Sequence, residues 1–345
     1  MKANVRPAQL SVAPMMDWTD RHCRVLHRLI SKKALLYTEM VTTGALIHGD
    51  QGRHLDYDEM EHPLVLQLGG SESQDLAQCA KLAQDWGYDE VNLNCGCPSE
   101  RVQRGAFGAC LMAEPKLVAD AVKAMRDVVD IEVTVKHRIG IDEHESYEFV
   151  RDFVGSVSEA GCRIFVVHAR IAILKGLSPK ENREIPPLRY EVVEHLKRDF
   201  PQCSFVLNGG IQSHQQVLDL LPKFDGLMLG RAAYHQPWLL SEWDALYPVQ
   251  DQAQTEEAAA NSGIEQRMLI EEKFVQYMHQ QKRSNGTPWS HMSRHMLGLY
   301  HGVAGARLWR QVWSDSSLKD LEPMAVMALA HEAMDRAHLR VLDES

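Results

Sequence analysis

Several things are missing from this 345-residue sequence. No apolar run reaches about 18 residues, so no membrane span is expected. The opening segment, MKANVRPAQLSVAPMM, has no apolar core of the kind a secretory signal needs. Cysteine is sparse and odd in number, seven in all, which excludes a disulfide framework and suggests reduced thiols in a cytoplasmic protein. No pair of C-x₂₋₄-C spacing occurs, so no structural zinc or other metal is expected. No dinucleotide fingerprint is visible either, so a nicotinamide cofactor would only visit. Between Glu272 and Asp315 there is no acidic residue.

That last gap matters because the chain as a whole is acidic, with a net charge of −10. Residues 261–345 carry ten Lys/Arg and ten Asp/Glu, so residues 1–260 hold the entire excess. The acid-free stretch contains Lys273, Lys282, Arg283, Arg294, Arg307 and Arg310, interleaved with Phe274, Tyr277, Trp289, Tyr300, Trp309 and Trp313. Such a mixture suits a surface that follows phosphates and stacks bases. It equally suits a solvated helical face over an aromatic core.

What is present is a regular alternation. Short β-branched or apolar runs, LSVAP, ALLYTEM, PLVLQL, EVNLNC, EVTVKHR, RIFVVHA, SFVLNG and GLMLG, predict eight strands between residues 10 and 230. Helical patterns lie between them, such as residues 71–87, 114–130 and 144–161, with N-terminal Ser, Glu or Pro and C-terminal Gly as stop signals. Eight strands alternating with helices predict an α/β fold of the (β/α)₈ TIM-barrel type, with a doubly wound sheet as the rival. Residues 247–263 are polar and aperiodic and read as a linker. Beyond them the pattern is helical only. The expected organisation is a barrel over 1–246, a linker over 247–263 and a small all-α domain over 264–345.

Chemistry in such a barrel gathers at the C-terminal strand ends. Those ends carry Pro14, Met15 and Met16 (strand one), Gln67 (three), Asn94 to Cys97 (four), Lys136 and Arg138 (five), His168 and Arg170 (six), Asn208, Gly209 and Gly210 (seven), and Gly230 and Arg231 (eight). The glycines after strands seven and eight, with Arg231, suit a phosphate, since bare backbone N–H groups can approach an anion. Plain turn glycines are the alternative. A lysine in strand character needs a partner. For Lys136 an anionic flavin ring is such a partner, and Gln67 can both donate to and accept from a ring edge. His168 could donate to a phosphate or ring edge, or be a satisfied core residue. Of the three cysteines in NCGCPSERVQRGAFGAC, Cys95 and Cys110 read as buried. Cys97, between Gly96 and Pro98, lies past the strand end, where a thiol of ordinary pKa near 8.5 can serve as an acid.

The residues SVAPMMDWTDRHCR, LYTEMVTTGALIHGD, LQLGG, NLNCGCPSERVQRGAFGACLM, VKHRIGID, VHAR, GLSPKENREIPPL, NGGI and LGRAAY, with RHMLGLYHG and GARLWR near the end, resemble the flavin-dependent tRNA-dihydrouridine synthases, most closely their A subfamily. The resemblance runs nearly end to end. It implies a barrel that binds FMN, a helical domain that binds tRNA, and reduction of the C5–C6 double bond of D-loop uridines at positions 20 and 20a, with NADPH as reductant. It implies FMN contacts from Pro14, Met15, Met16, Gln67, Lys136, His168, Asn208, Gly209, Gly210, Gly230 and Arg231. It makes Cys97 the proton donor to C5, and assigns substrate or tRNA contacts to Asn94, Lys180, Arg183 and Arg294. A monomer is expected. An FMN barrel acting on a small unsaturated substrate and a non-catalytic RNA-binding protein are the competing readings.

Overall fold

A computed structural model describes residues 9–99, 105–247 and 263–343. Eight parallel strands close into a barrel in sequence order: β1 (Leu10–Val12), β2 (Leu35–Thr42), β3 (Leu64–Gly69), β4 (Glu90–Cys95), β5 (Glu132–Arg138), β6 (Ile164–His168), β7 (Ser204–Asn208) and β8 (Gly226–Leu229), with β8 pairing back on β1. The fold is therefore the (β/α)₈ barrel, and the open doubly wound sheet is excluded by closure.

The connecting helices form where apolar residues recur every three to four positions. Ser73–Asp85 buries Leu76, Cys79, Ala80 and Ala83, and Tyr147–Glu159 buries Val150, Phe153, Val154 and Val157. Ser146 caps the second of these by accepting from the Phe149 N–H at 3.3 Å. Pro115 opens the Pro115–Val128 helix, where its missing N–H costs nothing.

The barrel interior is divided. One sector is apolar: Ala13, Leu35, Tyr37, Val65, Ile164, Val166, Val206 and Met228 pack together, with Met15 above them. The other is polar, because β4 sends Glu90, Asn92 and Asn94 inward at alternate positions. Register sets Gln67 opposite Asn92, Asn92 opposite Thr134, Asn94 opposite Lys136 and His168 opposite Asn208.

By internal contacts the chain forms two compact units. The first joins Ala34–Gly230 to the segment ending at Arg21, and the second joins His22–Lys33 to the chain from Arg231 onward. The sequence reading sets the boundary at residue 246 instead, and nearly all of its 247–263 linker lies outside the described residues. The second unit includes the helix after β1, held by a hydrogen bond between His27 Nε2 and the Ala233 carbonyl at 3.1 Å. Its other main helices are Gly263–Asn285, Trp289–Met296, Ala306–Trp313 and Pro323–Asp343.

The second unit settles what the interleaved aromatics do. Phe274, Trp289, Tyr300, Trp309 and Trp313 are all buried. Trp289 meets Trp313 edge-on at 5.5 Å, and Tyr300 meets Trp309 at 4.9 Å. They form a core, so they offer no face for stacking bases. At the centre lies Glu271, fully buried, whose carboxylate accepts from Tyr300 OH, Trp309 Nε1, Trp313 Nε1 and His331 Nε2 at 2.8–3.2 Å. Lys273, Arg283, Arg294 and Arg307 remain exposed around it.

Candidate functional site

The loop after β4 is built by Asn94. Its Oδ1 accepts from the backbone N–H groups of both Gly96 and Cys97 at 3.0 Å, an Asx-type turn that fixes where Cys97 stands. The Cys97 carbonyl accepts from Ala109 N at 2.9 Å, and its thiol lies 3.5 Å from Ser99 Oγ. Cys97 is half-buried, whereas Cys95 is fully buried and burial pushes its thiol pKa up. Cys110 is half-buried rather than buried as the sequence suggests. Its thiol turns back on the Phe107 carbonyl at 3.1 Å, and desolvation raises its pKa.

Arg138, buried at the end of β5, ties this loop to its neighbour. It donates to the carbonyls of Gly96 (3.1 Å), Ile171 (3.1 Å) and Asn182 (3.0 Å). Asn182 in turn braces the 173–182 segment, accepting from Ile173 N at 2.7 Å and donating to the Ile173, Leu177 and Ser178 carbonyls. A cleft of about 610 Å³ opens here, lined by Pro98 and residues 174–179.

The mouth of the barrel is cationic although the chain is acidic. Lys136, Arg138, Arg170 and Arg183 all act on His168. Burial and these four charges hold His168 well below its ordinary pKa, so the ring is neutral. Burial and Arg138 lower Lys136 to about 7, while the Cys97 thiol acts in the opposite sense. Lys136 Nζ donates to Asn208 Oδ1 at 3.1 Å, and Asn208 Nδ2 is anchored on the Met228 carbonyl at 2.7 Å.

Gly209 and Gly210 have φ of 118° and 73°. A Cβ on Gly209 would come within 2.8 Å of the His168 ring, and one on Gly210 within 2.3 Å of Leu188. Bare backbone is therefore required at the end of β7. Met15 accepts the Thr19 hydroxyl through its carbonyl, and Gly230 lies against its sulfur. Pro14 is half-buried beside it, while Met16 is 55 % exposed. Gln67 is buried, its Nε2 donating to Asn92 Oδ1 at 2.8 Å and its Oε1 accepting from Asn94 Nδ2 at 2.9 Å.

The first unit thus brings together Met15, Gln67, Asn94, Cys97, Lys136, His168, Asn208, Gly209, Gly210 and Gly230. Lys180 and Arg183 are exposed on the same unit, flanking the buried Asn182. Arg231, which opens the Arg231–His235 helix, and the exposed Arg294, which donates to the His291 carbonyl at 3.1 Å, belong to the second unit.

Comparison with known proteins matches residues 11–337 to the family model described as dihydrouridine synthase. The chain belongs to the dihydrouridine synthase family. A relative from Pseudomonas putida is 56 % identical over 326 residues, covering 94 % of each chain. One from Vibrio vulnificus is 56 % identical over 312 residues, 90 % of this chain and 92 % of its own. One from Yersinia pestis is 51 % identical over 327 residues, 94 % and 90 % respectively. All three are named tRNA-dihydrouridine(20/20a) synthase, the designation of the A subfamily.

Dihydrouridine synthases are flavin oxidoreductases, and the residues of this barrel fit a flavin. After its bonds to Asn92 and Asn94, Gln67 keeps one N–H and one lone pair, the complement of a ring edge with adjacent C=O and N–H. The Gly209–Gly210 turn is bare backbone because His168 and Leu188 occupy the space a Cβ would need, and bare backbone N–H groups can approach an anion. Among the described residues no carboxylate reaches Lys136, which leaves room for an anionic partner. No helix is long and apolar enough to cross a membrane, and no group of His, Cys, Asp or Glu could hold a metal among the described residues.

Reading the strand ends left out Glu90, Asn92, Thr134 and Tyr37, which form the polar floor beneath Gln67. The signal was in EVNLNC: three polar residues at alternate positions in a strand of a parallel sheet, which is buried on both faces.

Proposed function

We propose that this chain is a cytoplasmic, FMN-dependent, NADPH-driven tRNA-dihydrouridine synthase acting on uridines 20 and 20a. The observation that carries the reading is Cys97: a half-buried thiol on an Asn94-capped loop, beside Lys136 and Arg138, in a chain more than half identical to proteins of that name.

Pro14, Met15, Met16, Gln67, Lys136, His168, Asn208, Gly209, Gly210, Gly230 and Arg231 would hold FMN, which when bound supplies hydride to C6 of the uracil. Gln67 orients the ring edge. Lys136 opposes negative charge on the ring, and its lowered pKa leaves it able to gain a proton as that charge arrives. Neutral His168 donates a hydrogen bond without adding charge. Cys97 would give its thiol proton to C5. NADPH plus a proton are consumed for each uridine saturated. Arg183 and Lys180 supply positive charge around the cleft, Arg294 contributes from the helical unit, and the remaining N–H of Asn94 is left for the base.

The test is NADPH-dependent dihydrouridine formation in unmodified tRNA, with flavin absorbance followed in parallel. Cys97→Ala should bind FMN and tRNA normally and form dihydrouridine at least about 100-fold more slowly, the lower end of what a positioned acid contributes. Cys110→Ala should stay active. A dead Cys110→Ala with an active Cys97→Ala would refute the assignment, and flavin re-oxidised by a free pyrimidine but not by tRNA would favour a small-substrate reductase.

A further inference from the structure

Beneath the site runs a continuous chain of hydrogen bonds with a single direction. Gly96 N–H and Cys97 N–H donate to Asn94 Oδ1 at 3.0 Å. Asn94 Nδ2 donates to Gln67 Oε1 at 2.9 Å, and Gln67 Nε2 to Asn92 Oδ1 at 2.8 Å. Asn92 Nδ2 donates to Thr134 Oγ1 at 2.8 Å, and Thr134 O–H to Glu90 Oε1 at 2.6 Å. Tyr37 O–H reaches the same Glu90 oxygen at 3.2 Å. Every member below the loop is buried.

The two ends fix that direction. Backbone N–H groups can only donate, and Glu90 Oε1, facing two hydroxyls, accepts whether or not the carboxyl carries a proton on its other oxygen. Three carboxamides lie between these ends, and each has one orientation that satisfies both neighbours. Reversing any one sets N–H against N–H or oxygen against oxygen. A side-chain amide is otherwise free to turn over, and for Gln67 that would exchange the donor and acceptor it offers. The apolar sector of the same barrel fills its interior with Val, Ile and Met, so a polar sector is not a requirement of the fold.

We propose that Glu90, Thr134 and Asn92 are positioning residues: anchored on Glu90, they lock the amide orientation of Gln67 and, through Asn94, the turn that carries Cys97. None of the three touches the reacting atoms. The cofactor half of this statement rests on the proposed function, in which Gln67 faces the flavin. The Cys97 half does not.

Thr134→Val removes the hydroxyl in the middle of the chain with little change of shape, and Thr134→Ser keeps it. Two quantities are read in each protein: FMN affinity of the apoprotein by quenching of flavin fluorescence, and the rate of Cys97 alkylation by iodoacetamide, mapped by peptide mass. Thr134→Val should bind FMN about tenfold more weakly, the effect of one buried hydrogen bond lost, and alkylate several-fold faster. Thr134→Ser should match the wild type in both. A Thr134→Val protein that melts lower but keeps both values would give Thr134 a packing role and overturn the proposal. Wild-type protein that binds no FMN, with alkylation still altered in Thr134→Val, would sink the flavin reading and leave the chain of hydrogen bonds standing. Should Thr134→Val fail to fold, the wild type decides alone: the side-chain amide protons of Gln67, Asn92 and Asn94 should exchange with solvent slowly, and exchange at the rate of exposed amides would overturn it.

Discussion

Replacing Glu271 by Ala and by Gln should have sharply different consequences for stability. One Glu271 oxygen accepts from the two indoles, Trp309 and Trp313, and the other from Tyr300 O–H and His331 Nε2. Alanine leaves three buried donors and the half-buried His331 without an acceptor. Each such group costs about 1–3 kcal/mol, and relaxation and water entry reduce the sum, so we expect a loss of about 5 kcal/mol. Glutamine is different because the partners are different. An indole can only donate, so the amide oxygen must face the tryptophans. A hydroxyl and a neutral imidazole can accept, so the amide nitrogen can face Tyr300 and His331 with all contacts kept. That variant should lose about 1–2 kcal/mol, the difference between charge-assisted and neutral bonds. Thermal unfolding should lower Tm by about 15 °C for Glu271→Ala and about 5 °C for Glu271→Gln. Glu271 also raises the pKa of His331 above its ordinary 6.5. The stability from this pair is therefore complete below about pH 6.5 and fades as pH rises through the raised folded value, a slope that Glu271→Gln should remove. A Glu271→Ala protein within about 1 kcal/mol of the wild type would refute this account of the helical core.

Three further outcomes are expected. Affinity for reduced FMN should weaken as pH rises above about 7, because Lys136 titrates there in the free protein and must gain a proton to meet the anionic reduced ring; Lys136→Met should bind it more weakly with no such slope in a pH series of anaerobic binding titrations. Glu90, raised by burial from 4.5 to about 7, binds its proton more tightly folded than unfolded, so stability should fall between pH 4.5 and 7; denaturant midpoints for Glu90→Gln should be flat across that window, with FMN binding retained because the amide oxygen still accepts both hydroxyls. Gly210→Ala should lose at least about 1 kcal/mol of stability from its positive φ alone and weaken FMN binding, since its Cβ would meet Leu188 and displace the turn; a variant that bound FMN normally would show that the turn does not contact the cofactor.

Strand positions were legible because a parallel barrel writes its strands as short apolar runs and its helices as three-to-four periodicities. EVNLNC and EVTVKHR appear as β4 and β5 at the residues expected. The strand-end residues of the first unit were legible for the same reason: once the strands are placed, their C-terminal ends are too. Three-dimensional pairing was not. Sequence order gives no hint that Arg138 reaches the carbonyls of both Gly96 and Asn182, or that Asn182 rather than Lys180 or Arg183 is the buried residue of its segment. The tail misled for a different reason. Tryptophans between basic residues look alike whether they face solvent or a buried carboxylate, and only Glu271, outside the acid-free stretch, tells the two apart.

Arg138 directs its hydrogen bonds to three carbonyls and pairs with no carboxylate among the described residues. Carbonyls satisfy a guanidinium's geometry without cancelling its charge. The cation is thus immobilised and left un-neutralised, like a fixed electrode set in the wall of an acidic body. The chain carries a net charge of −10, and the cluster of Lys136, Arg138, Arg170 and Arg183 at the strand ends is a local exception that would favour an approaching polyanion. The molecule's net charge then works as a filter on orientation rather than as a barrier to binding.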